Sequence, residues 1–355
     1  KKFANYIAMN SIALLFVLAF LTNAALAEKN ESQISALLTN VYDLIYEESL
    51  MDIVTCNEVT PDDFQLLLYT RTNAKSPIPL NITNPELNVK KDTVFIAHSW
   101  LQSSNGYGID ALKNAYLEHG DYNVIIINWG KISLQLYSGA VCQLPKLANI
   151  LADFVCSLHS KEGVQLENIH LLGHGLGAHL MGYIGQSTNT TCSQKIGRIT
   201  GLDPSGLFFV DTPRSNRLDS TDANFVQVVH TNGGMFGFLG KCGHADFFAN
   251  CGSIQRSCNM QEGVYKIIGL LPSPYNKLIS VYCYHMRAID LWIEAINSDK
   301  LQAYPCAYCP LGCPPIFSFY STKTTMGETC PKEARGGFYL PTNSNPPYAT
   351  TSMFG

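Results

Sequence analysis

Short apolar segments that alternate with helix-like segments constrain the fold of this chain more than any other feature. Candidate strands include TVFIA at Thr93–Ala97, VIII at Val124–Ile127 and the segment Ile196–Leu202, and apolar residues at helical spacing run through Leu144–Ser160. Strands that are apolar at successive positions are buried on both faces. The pattern therefore predicts an α/β fold with a mostly parallel sheet and helices on both faces. Further candidates are the strands Phe64–Arg71, Ile169–Leu172 and Phe225–His230 and the helix Ala178–Ile184.

The N-terminus has the pattern of a secretory signal peptide. Lys1 and Lys2 supply positive charge, an unbroken apolar run follows from Ile12 to Leu21, and Ala25–Ala27 is a small-x-small cleavage site. The apolar run is too short to span a bilayer. We expect a signal peptide at residues 1–27, with an uncleaved membrane anchor as the alternative. We expect no transmembrane segment elsewhere, because no second apolar run is long enough.

The cysteines and the glycosylation motifs also indicate an extracellular protein. All twelve cysteines follow the proposed cleavage site, and an even number in an exported chain predicts disulfides. Cys306, Cys309 and Cys313 approach a metal-binding spacing, but no histidine pair lies nearby, and the spacing favours a disulfide-stapled loop. Motifs for N-glycosylation begin at Asn30, Asn81 and Asn189.

The composition limits the classes of partner. The chain is 46% apolar and 15% charged, so it can bury a large core, and its net charge is −4. A mildly acidic chain without a basic cluster is not expected to bind nucleic acid or to be attracted strongly to anionic membranes. No linker divides the sequence, so we expect a single domain over residues 28–355.

A glycine-rich turn carries the first indication of chemistry. Gly173-His174-Gly175-Leu176-Gly177 follows a candidate strand and precedes a candidate helix. This is the setting of the nucleophile elbow G-x-S-x-G, in which flanking glycines permit the sharp turn and the next residue's amide faces a developing oxyanion. Taken alone, the segment is equally compatible with an unrelated glycine-rich turn.

Two later segments complete the order that a serine hydrolase requires. Asp203 follows a candidate strand in GLDP, and His285 lies downstream in CYHMRA. With these in place, the chain resembles the pancreatic-lipase family, in the branch with insect lipases, phospholipases A1 and yolk proteins. The resemblance rests on LLGHGLGAHLMGYIG, RLDSTDANFVQVVHT, GHADFFANCG and GGFYLPTNSNPPYA, and it runs from about residue 60 to the end. It implies an α/β-hydrolase fold.

The resemblance also implies roles for individual residues. Gly175 occupies the nucleophile position, Asp203 matches the acid and His285 matches the general base. Trp100 and Leu176 match the residues whose backbone amides form the oxyanion hole. Cys258 and Cys283 match the pair that closes the lid loop. That loop contains Val264, Ile267, Ile268, Leu270 and Leu271, which either contact lipid or pack onto the core.

The resemblance further implies a calcium site, while the length of the chain leads us to expect that one domain of the vertebrate members is missing. Arg214, Arg217, Asp219 and Asp222 match a structural calcium site, for which oxygen ligands are suitable. Salt bridging is the alternative, because arginine stands at position 214. No other cofactor is expected. The chain is too short for the C-terminal β-sandwich domain of the vertebrate lipases.

Two departures from the family pattern decide the functional hypotheses. Glycine at position 175 cannot attack a carbonyl, and loss of the nucleophile costs about 10⁶ in turnover in serine hydrolases. Ser99 replaces the glycine that is usual in the oxyanion loop, so its side chain crowds the site. The first hypothesis is a secreted, catalytically inactive protein that binds lipids or acyl esters and contacts a lipid–water interface.

Two alternatives remain open at this stage. One is an active triacylglycerol lipase or phospholipase A1, in which Gly175 is a sequence error or a variant. The other is an esterase with a different nucleophile, for which Ser99 is the candidate. The missing elbow geometry at Ser99 makes that second alternative the weaker one.

Overall fold

The computed structural model describes residues 56–83, 87–258, 275–306 and 323–350. The proposed signal peptide, Asn30, the apolar residues of the lid segment, Cys309 and Cys313 lie outside these ranges. Within them the strands are β1 (Gln65–Tyr69), β2 (Ile78–Pro79), β3 (Thr93–Ala97), β4 (Asn123–Asn128), β5 (Ile169–His174), β6 (Ile196–Leu202), β7 (Ala223–His230), β8 (Ala245–Ala249), β9 (Gln302–Pro305), β10 (Thr324–Thr325) and β11 (Gly336–Leu340). The α-helices are α1 (Ile109–His119), α2 (Gly130–Ser133), α3 (Tyr137–Glu162), α4 (Leu176–Cys192) and α5 (Tyr275–Ile296).

The described strands form one sheet in the order β10-β9-β11-β8-β7-β6-β5-β3-β4-β1-β2. Every pair from β4 to β11 across the centre of the sheet is parallel, and β1, β2, β9 and β10 pair antiparallel at the two edges. The predicted α/β-hydrolase fold, with a mostly parallel central sheet and covering helices, is confirmed. The strands β3 and β6 have the predicted bounds, because every residue of β3 and most of β6 is buried.

Helix boundaries were less well predicted than strands. The helix predicted at Ala178–Ile184 extends over the whole of α4, from Leu176 to Cys192, and its last two turns are mostly polar. The helix predicted at Leu144–Ser160 begins one to two turns earlier, at Tyr137. Helices α1 and α5 were not predicted from the sequence, although α5 carries His285.

Helix α3 is long and apolar enough to cross a membrane, with a mean hydropathy of 1.3 over its most apolar window. Half of that window is buried inside the protein. The buried residues form the predicted stripe, including Leu147, Leu151, Phe154 and Val155. Packing against the core therefore accounts for the apolar character of this helix, since a core helix needs such a stripe.

Three disulfides join described residues: Cys56 to Cys142, Cys156 to Cys192 and Cys258 to Cys283. The second ties α3 to the end of α4, which packs beside it. The third is the pair that the resemblance names for the lid loop. The thiols of Cys242 and Cys330 are free and buried, so not every cysteine follows the disulfide prediction.

Candidate active site

The turn between β5 and α4 has the geometry of a nucleophile elbow. Gly175 lies between the last residue of the strand and the first of the helix, with φ 56° and ψ −118°. Non-glycine residues adopt this backbone region rarely and at a cost of about 1–3 kcal/mol. A Cβ on Gly177 would lie 2.5 Å from the carbonyl oxygen of His98, so only glycine lets α4 pack this closely on the end of β3. The local sequence therefore fixes the turn without supplying a side chain at its apex.

The parallel register brings the other expected residues to the same edge of the sheet. Ala97 of β3 is paired with Gly173 of β5, and Leu202 of β6 is paired with His174. The loops that follow these strands carry Ser99, Gly175 and Asp203, so the three residues meet although they are distant in sequence.

Asp203 and His285 form a buried hydrogen-bonded pair. The Nδ1 atom of His285 lies 2.6 Å from Oδ2 of Asp203, and both side chains are 0% exposed. The other carboxylate oxygen accepts hydrogen bonds from the backbone amides of Thr231, at 2.8 Å, and Asn232, at 2.9 Å. A carboxylate accepts here, so Nδ1 of His285 donates and the lone pair of its neutral ring lies on Nε2.

The second nitrogen of this imidazole faces the elbow. A Cβ on Gly175 would lie 3.1 Å from Nε2 of His285. An acid, an oriented imidazole and the elbow are thus arranged as a hydrolytic triad requires, but the apex lacks a nucleophilic atom.

His174 is a further part of the site that the sequence analysis missed. Its ring lies 4.3 Å from that of His285, and its Nε2 lies 3.1 Å from the carbonyl oxygen of His285. Burial and the neighbouring His285 hold the pKa of His174 well below its usual range. The neutral ring donates to that carbonyl and supports the turn of α5 that carries His285. Its position inside the glycine-rich motif was the one sequence feature that could have indicated this role.

The hydroxyl of Ser99 occupies the space in front of the elbow. Ser99 Oγ lies 3.3 Å from the backbone nitrogen of Leu176 and accepts its hydrogen bond. The same oxygen lies 2.1 Å from the point where a Cβ of residue 175 would stand. Of the two amides expected to form an oxyanion hole, that of Leu176 therefore already has an acceptor.

Trp100 follows Ser99 and anchors a row of aromatic side chains. Its indole nitrogen donates to the carbonyl oxygen of Gln135 at 2.8 Å, and its ring meets that of Tyr137 edge-on at 5.1 Å. Tyr137 in turn stacks on Phe208 at 5.8 Å. Phe208 is 44% exposed and Val210 is 53% exposed, so the row ends in apolar surface beside the elbow.

The four residues of the expected calcium site lie together between β6 and β7. Asp219 Oδ1 accepts from the amide of Thr221, and Asp222 Oδ2 accepts from the amide of Asp219 at 2.8 Å. Asp222 Oδ1 is buried and accepts no hydrogen bond from the described residues. Burial raises the pKa of Asp222 to about 7.

The two arginines of this cluster pair with Asp219 and not with Asp222. Arg214 Nε and Arg217 Nη1 each lie 3.8 Å from Asp219 Oδ2, which is long for an ion pair, and the side chain of Arg214 is 74% exposed. Neither guanidinium has an ion pair with Asp222 among the described residues. Asp222 Oδ1 is thus left without a donor or a guanidinium among the described residues, and carboxylate oxygens of this kind suit calcium.

A second buried histidine–aspartate pair lies at the ends of β7 and β8. His230 Nε2 lies 2.9 Å from Asp246 Oδ1, and Cys242 is close enough that the three ligand atoms lie within 4.8 Å of one another. The same carboxylate accepts from the amides of Cys242 and Gly243. Burial raises the pKa of the Cys242 thiol well above its usual range. A protonated thiol and a fully hydrogen-bonded carboxylate indicate a structural cluster.

Comparisons with known proteins agree with this geometry. A family model described as Lipase matches residues 49–348. Lipase member H of Xenopus tropicalis is 37% identical over 281 residues, which are 73% of this chain and 57% of that protein. Lipase member H of Rattus norvegicus is 33% identical over 246 residues, which are 68% of this chain and 51% of that protein. The chain thus spans about half the length of these relatives.

Solved structures include a phospholipase/carboxylesterase from Dyadobacter fermentans. It is 15% identical with a TM-score of 0.33, and the alignment covers 51% of this chain and 79% of that one. This structural similarity is too low to support an assignment, which rests on the sequence comparisons. Since the Lipase family model matches most of the length of this chain, the chain belongs to the lipase family.

Proposed function

We propose that this chain is a secreted lipase-family protein that binds lipids or acyl esters and does not hydrolyse them. One observation carries the proposal: the elbow holds Gly175 at its apex, beside an intact pair of Asp203 and His285. His285 has no hydroxyl at position 175 from which to take a proton. Loss of the nucleophile raises the barrier by about 8 kcal/mol, which corresponds to about 10⁶ in rate.

Retention of the acid and the base does not require catalysis. Asp203 accepts hydrogen bonds from the backbone amides of Thr231 and Asn232, in addition to the hydrogen bond from Nδ1 of the His285 imidazole. Removal of its carboxylate would leave these buried donors unsatisfied, at about 1–3 kcal/mol for each group. The pair therefore contributes to stability whether or not the site turns over.

Exposed apolar side chains beside the elbow support a lipid ligand. Phe208 and Val210 lie on the loop after Asp203, and Phe208 stacks on Tyr137, which contacts Trp100. Exposed apolar surface next to a buried polar cleft is typical of sites that receive acyl chains or meet an interface. The relatives that match this chain are named lipases.

Export and glycosylation are part of the proposal. The disulfides of the described residues favour an oxidising compartment. Asn81 and Asn189 are both exposed, so their side chains are accessible for glycosylation. We further propose that calcium binds Asp219 and Asp222, together with the backbone carbonyls of Arg214 and Arg217. Bound there, the ion would neutralise the two carboxylates and stabilise the loop.

Two assays on the purified secreted protein test the proposal. The first measures hydrolysis of a short-chain nitrophenyl ester and labelling by a fluorophosphonate probe, and we expect neither. Turnover at enzyme-like rates would refute the lack of catalysis and would direct attention to Ser99.

The second assay measures binding to vesicles of an ether-linked phosphatidylcholine, which cannot be hydrolysed. We expect binding, and we expect the variant F208S/V210S to weaken it by at least about 100-fold, since burial of each apolar side chain in the bilayer is worth about 1.5–3 kcal/mol. Ile78→Ser is the matched control, because Ile78 is 49% exposed but lies on β2 at the edge of the sheet. Equal binding by all three proteins would exclude this surface as the lipid contact.

A further inference from the structure

We infer that Ser99 and Gly175 form a coupled pair, in which the Ser99 hydroxyl closes the oxyanion hole and excludes a side chain from the elbow. The inference rests on the proposed function and concerns the same site. It implies that a serine at position 175 restores only a small part of the hydrolysis while Ser99 is present. Full reactivation requires both Ser99→Gly and Gly175→Ser.

Steric contact at the elbow is the first part of the coupling. A Cβ on residue 175 would lie 2.1 Å from Ser99 Oγ and 2.9 Å from Ser99 Cβ. Rotation about the Cα–Cβ bond of Ser99 relieves the first contact but leaves the second. Relief of the second contact requires a shift of the loop after β3, and that loop is anchored to the end of α2, where the amide of Leu101 donates to the carbonyl oxygen of Ser133 at 2.9 Å.

Occupation of the oxyanion hole is the second part. The amide of Leu176 donates to Ser99 Oγ at 3.3 Å. A substrate carbonyl that approaches this amide must displace the hydroxyl, which is itself buried. Removal of one donor from an oxyanion hole lowers kcat by about 10²–10³, so the occupied amide would slow hydrolysis even if a nucleophile were present.

The same contact explains why Ser99 does not replace the missing nucleophile. Its oxygen already uses the Leu176 amide that would have to stabilise the charge formed on the substrate. Ser99 also lies on the loop after β3 and not at the apex of the elbow. The hydroxyl therefore fills the site and does not attack from it.

Four proteins test the coupling: the natural chain, S99G, G175S and S99G/G175S. Each is assayed for nitrophenyl ester hydrolysis, fluorophosphonate labelling and thermal midpoint. We expect full activity from the double variant only: kcat should be about 10²–10³ lower in G175S, whose oxyanion hole is occupied, and about 10⁶ lower in S99G, which has no nucleophile. We expect G175S to unfold at a lower temperature than the double variant, because only G175S carries the 2.1 Å and 2.9 Å contacts.

Other outcomes separate the inference from the proposed function. If G175S is as active as the double variant, the coupling is wrong and the proposed function stands. If the natural chain is active and Ser99→Ala abolishes its activity, the proposed function is wrong and Ser99 is the nucleophile. A double variant that folds, with an unchanged circular dichroism spectrum, but stays inactive also overturns the coupling.

A measurement on the natural background does not depend on the folding of the double variant. In Ser99→Ala the amide of Leu176 loses its acceptor, so its proton resonance should shift and its hydrogen exchange should become faster. Ser104→Ala, which removes a hydroxyl from the same loop and leaves that of Ser99 in place, is the matched control. An unchanged Leu176 resonance in Ser99→Ala would overturn the inference.

Discussion

The part of the chain that the structure describes contains two buried histidine–aspartate pairs, and only one of them faces the elbow. His285 Nδ1 lies 2.6 Å from Asp203 Oδ2, and His230 Nε2 lies 2.9 Å from Asp246 Oδ1. All four side chains are 0–1% exposed. Each carboxylate also accepts hydrogen bonds from two successive backbone amides. By partner type, distance and burial the two pairs are nearly the same.

The difference lies at the second nitrogen of each imidazole. His230 Nδ1 lies 3.3 Å from the carbonyl oxygen of Phe238, so both of its nitrogens face groups of the protein that accept hydrogen bonds. His285 directs Nε2 towards the apex of the elbow. A buried pair is therefore not a mark of catalysis in itself, and the environment of the second nitrogen determines what the pair can do. With glycine at the apex, the two pairs converge on the same structural role.

The largest effect that separates the pairs is expected in the reactivated background S99G/G175S. There Asp203→Asn should lower kcat by about 10⁴, since an amide no longer holds the imidazole in the tautomer that accepts a proton. Asp246→Asn in the same background should leave kcat, per folded molecule, within about threefold. Steady-state ester hydrolysis with active-site titration measures both. Equal losses from the two substitutions would show that the pairs are not distinguished by their second nitrogens.

The pair of His230 and Asp246 should matter for stability and not for turnover. Asp246→Ala in the natural chain should lower the free energy of unfolding by about 3–5 kcal/mol, because it leaves buried His230 and two amides without their acceptor. Denaturant unfolding followed by fluorescence measures the change. Glu162→Ala, at an exposed helix end, is the control and should stay within about 0.5 kcal/mol. A loss below about 1 kcal/mol for Asp246→Ala would contradict the structural role.

A third buried carboxylate, Asp222, sharpens the comparison because no imidazole faces it among the described residues. Calcium at 100 times its dissociation constant should raise the free energy of unfolding by about 2.7 kcal/mol. Asp222→Asn should abolish that response, and Asp246→Asn should preserve it. Thermal unfolding with calcium and with a chelator measures the difference. An equal response in all three proteins would place calcium, if it binds, at another site.

The smallest effect concerns pH in the absence of calcium. The pKa of Asp222 is raised from 3.8 to about 7, so the native state retains a proton that the unfolded state releases. Stability from this group is therefore fully present below about pH 4 and is lost as pH rises to about 7. We expect a loss of about 1–2 kcal/mol over this range, below the limit of 1.36 kcal/mol per pH unit because the loop can relax. Denaturant titrations at several pH values measure how the free energy of unfolding depends on pH. Asp222→Asn should remove this part of the dependence, and an unchanged dependence would contradict the raised pKa.

Local patterns in the sequence were sufficient for β1, for β3 to β7 and for the order of the motifs, but not for β2 or for β8 to β11. Residues of β3 and β6 are apolar at successive positions because both faces of these strands are covered, and that signal needs no knowledge of distant contacts. Gly175 and Asp203 were singled out by their place after strands, and His285 by chain order together with the family resemblance. Helix α5 was missed, although a residue that it carries was singled out.

The sequence by itself determined that the apex of the elbow has no nucleophile, since glycine has no side chain in any fold. Only the tertiary structure decided which side chain occupies the space in front of Gly175. Ser99 and Leu176 are 77 residues apart, and they meet because β3 and β5 are parallel neighbours whose carboxyl ends lie at one edge of the sheet. The tertiary structure likewise left Asp222 Oδ1 without a donor among the described residues and directed only one of two similar imidazoles at the elbow. Such contacts depend on the register between strands, which periodicity along one segment does not encode.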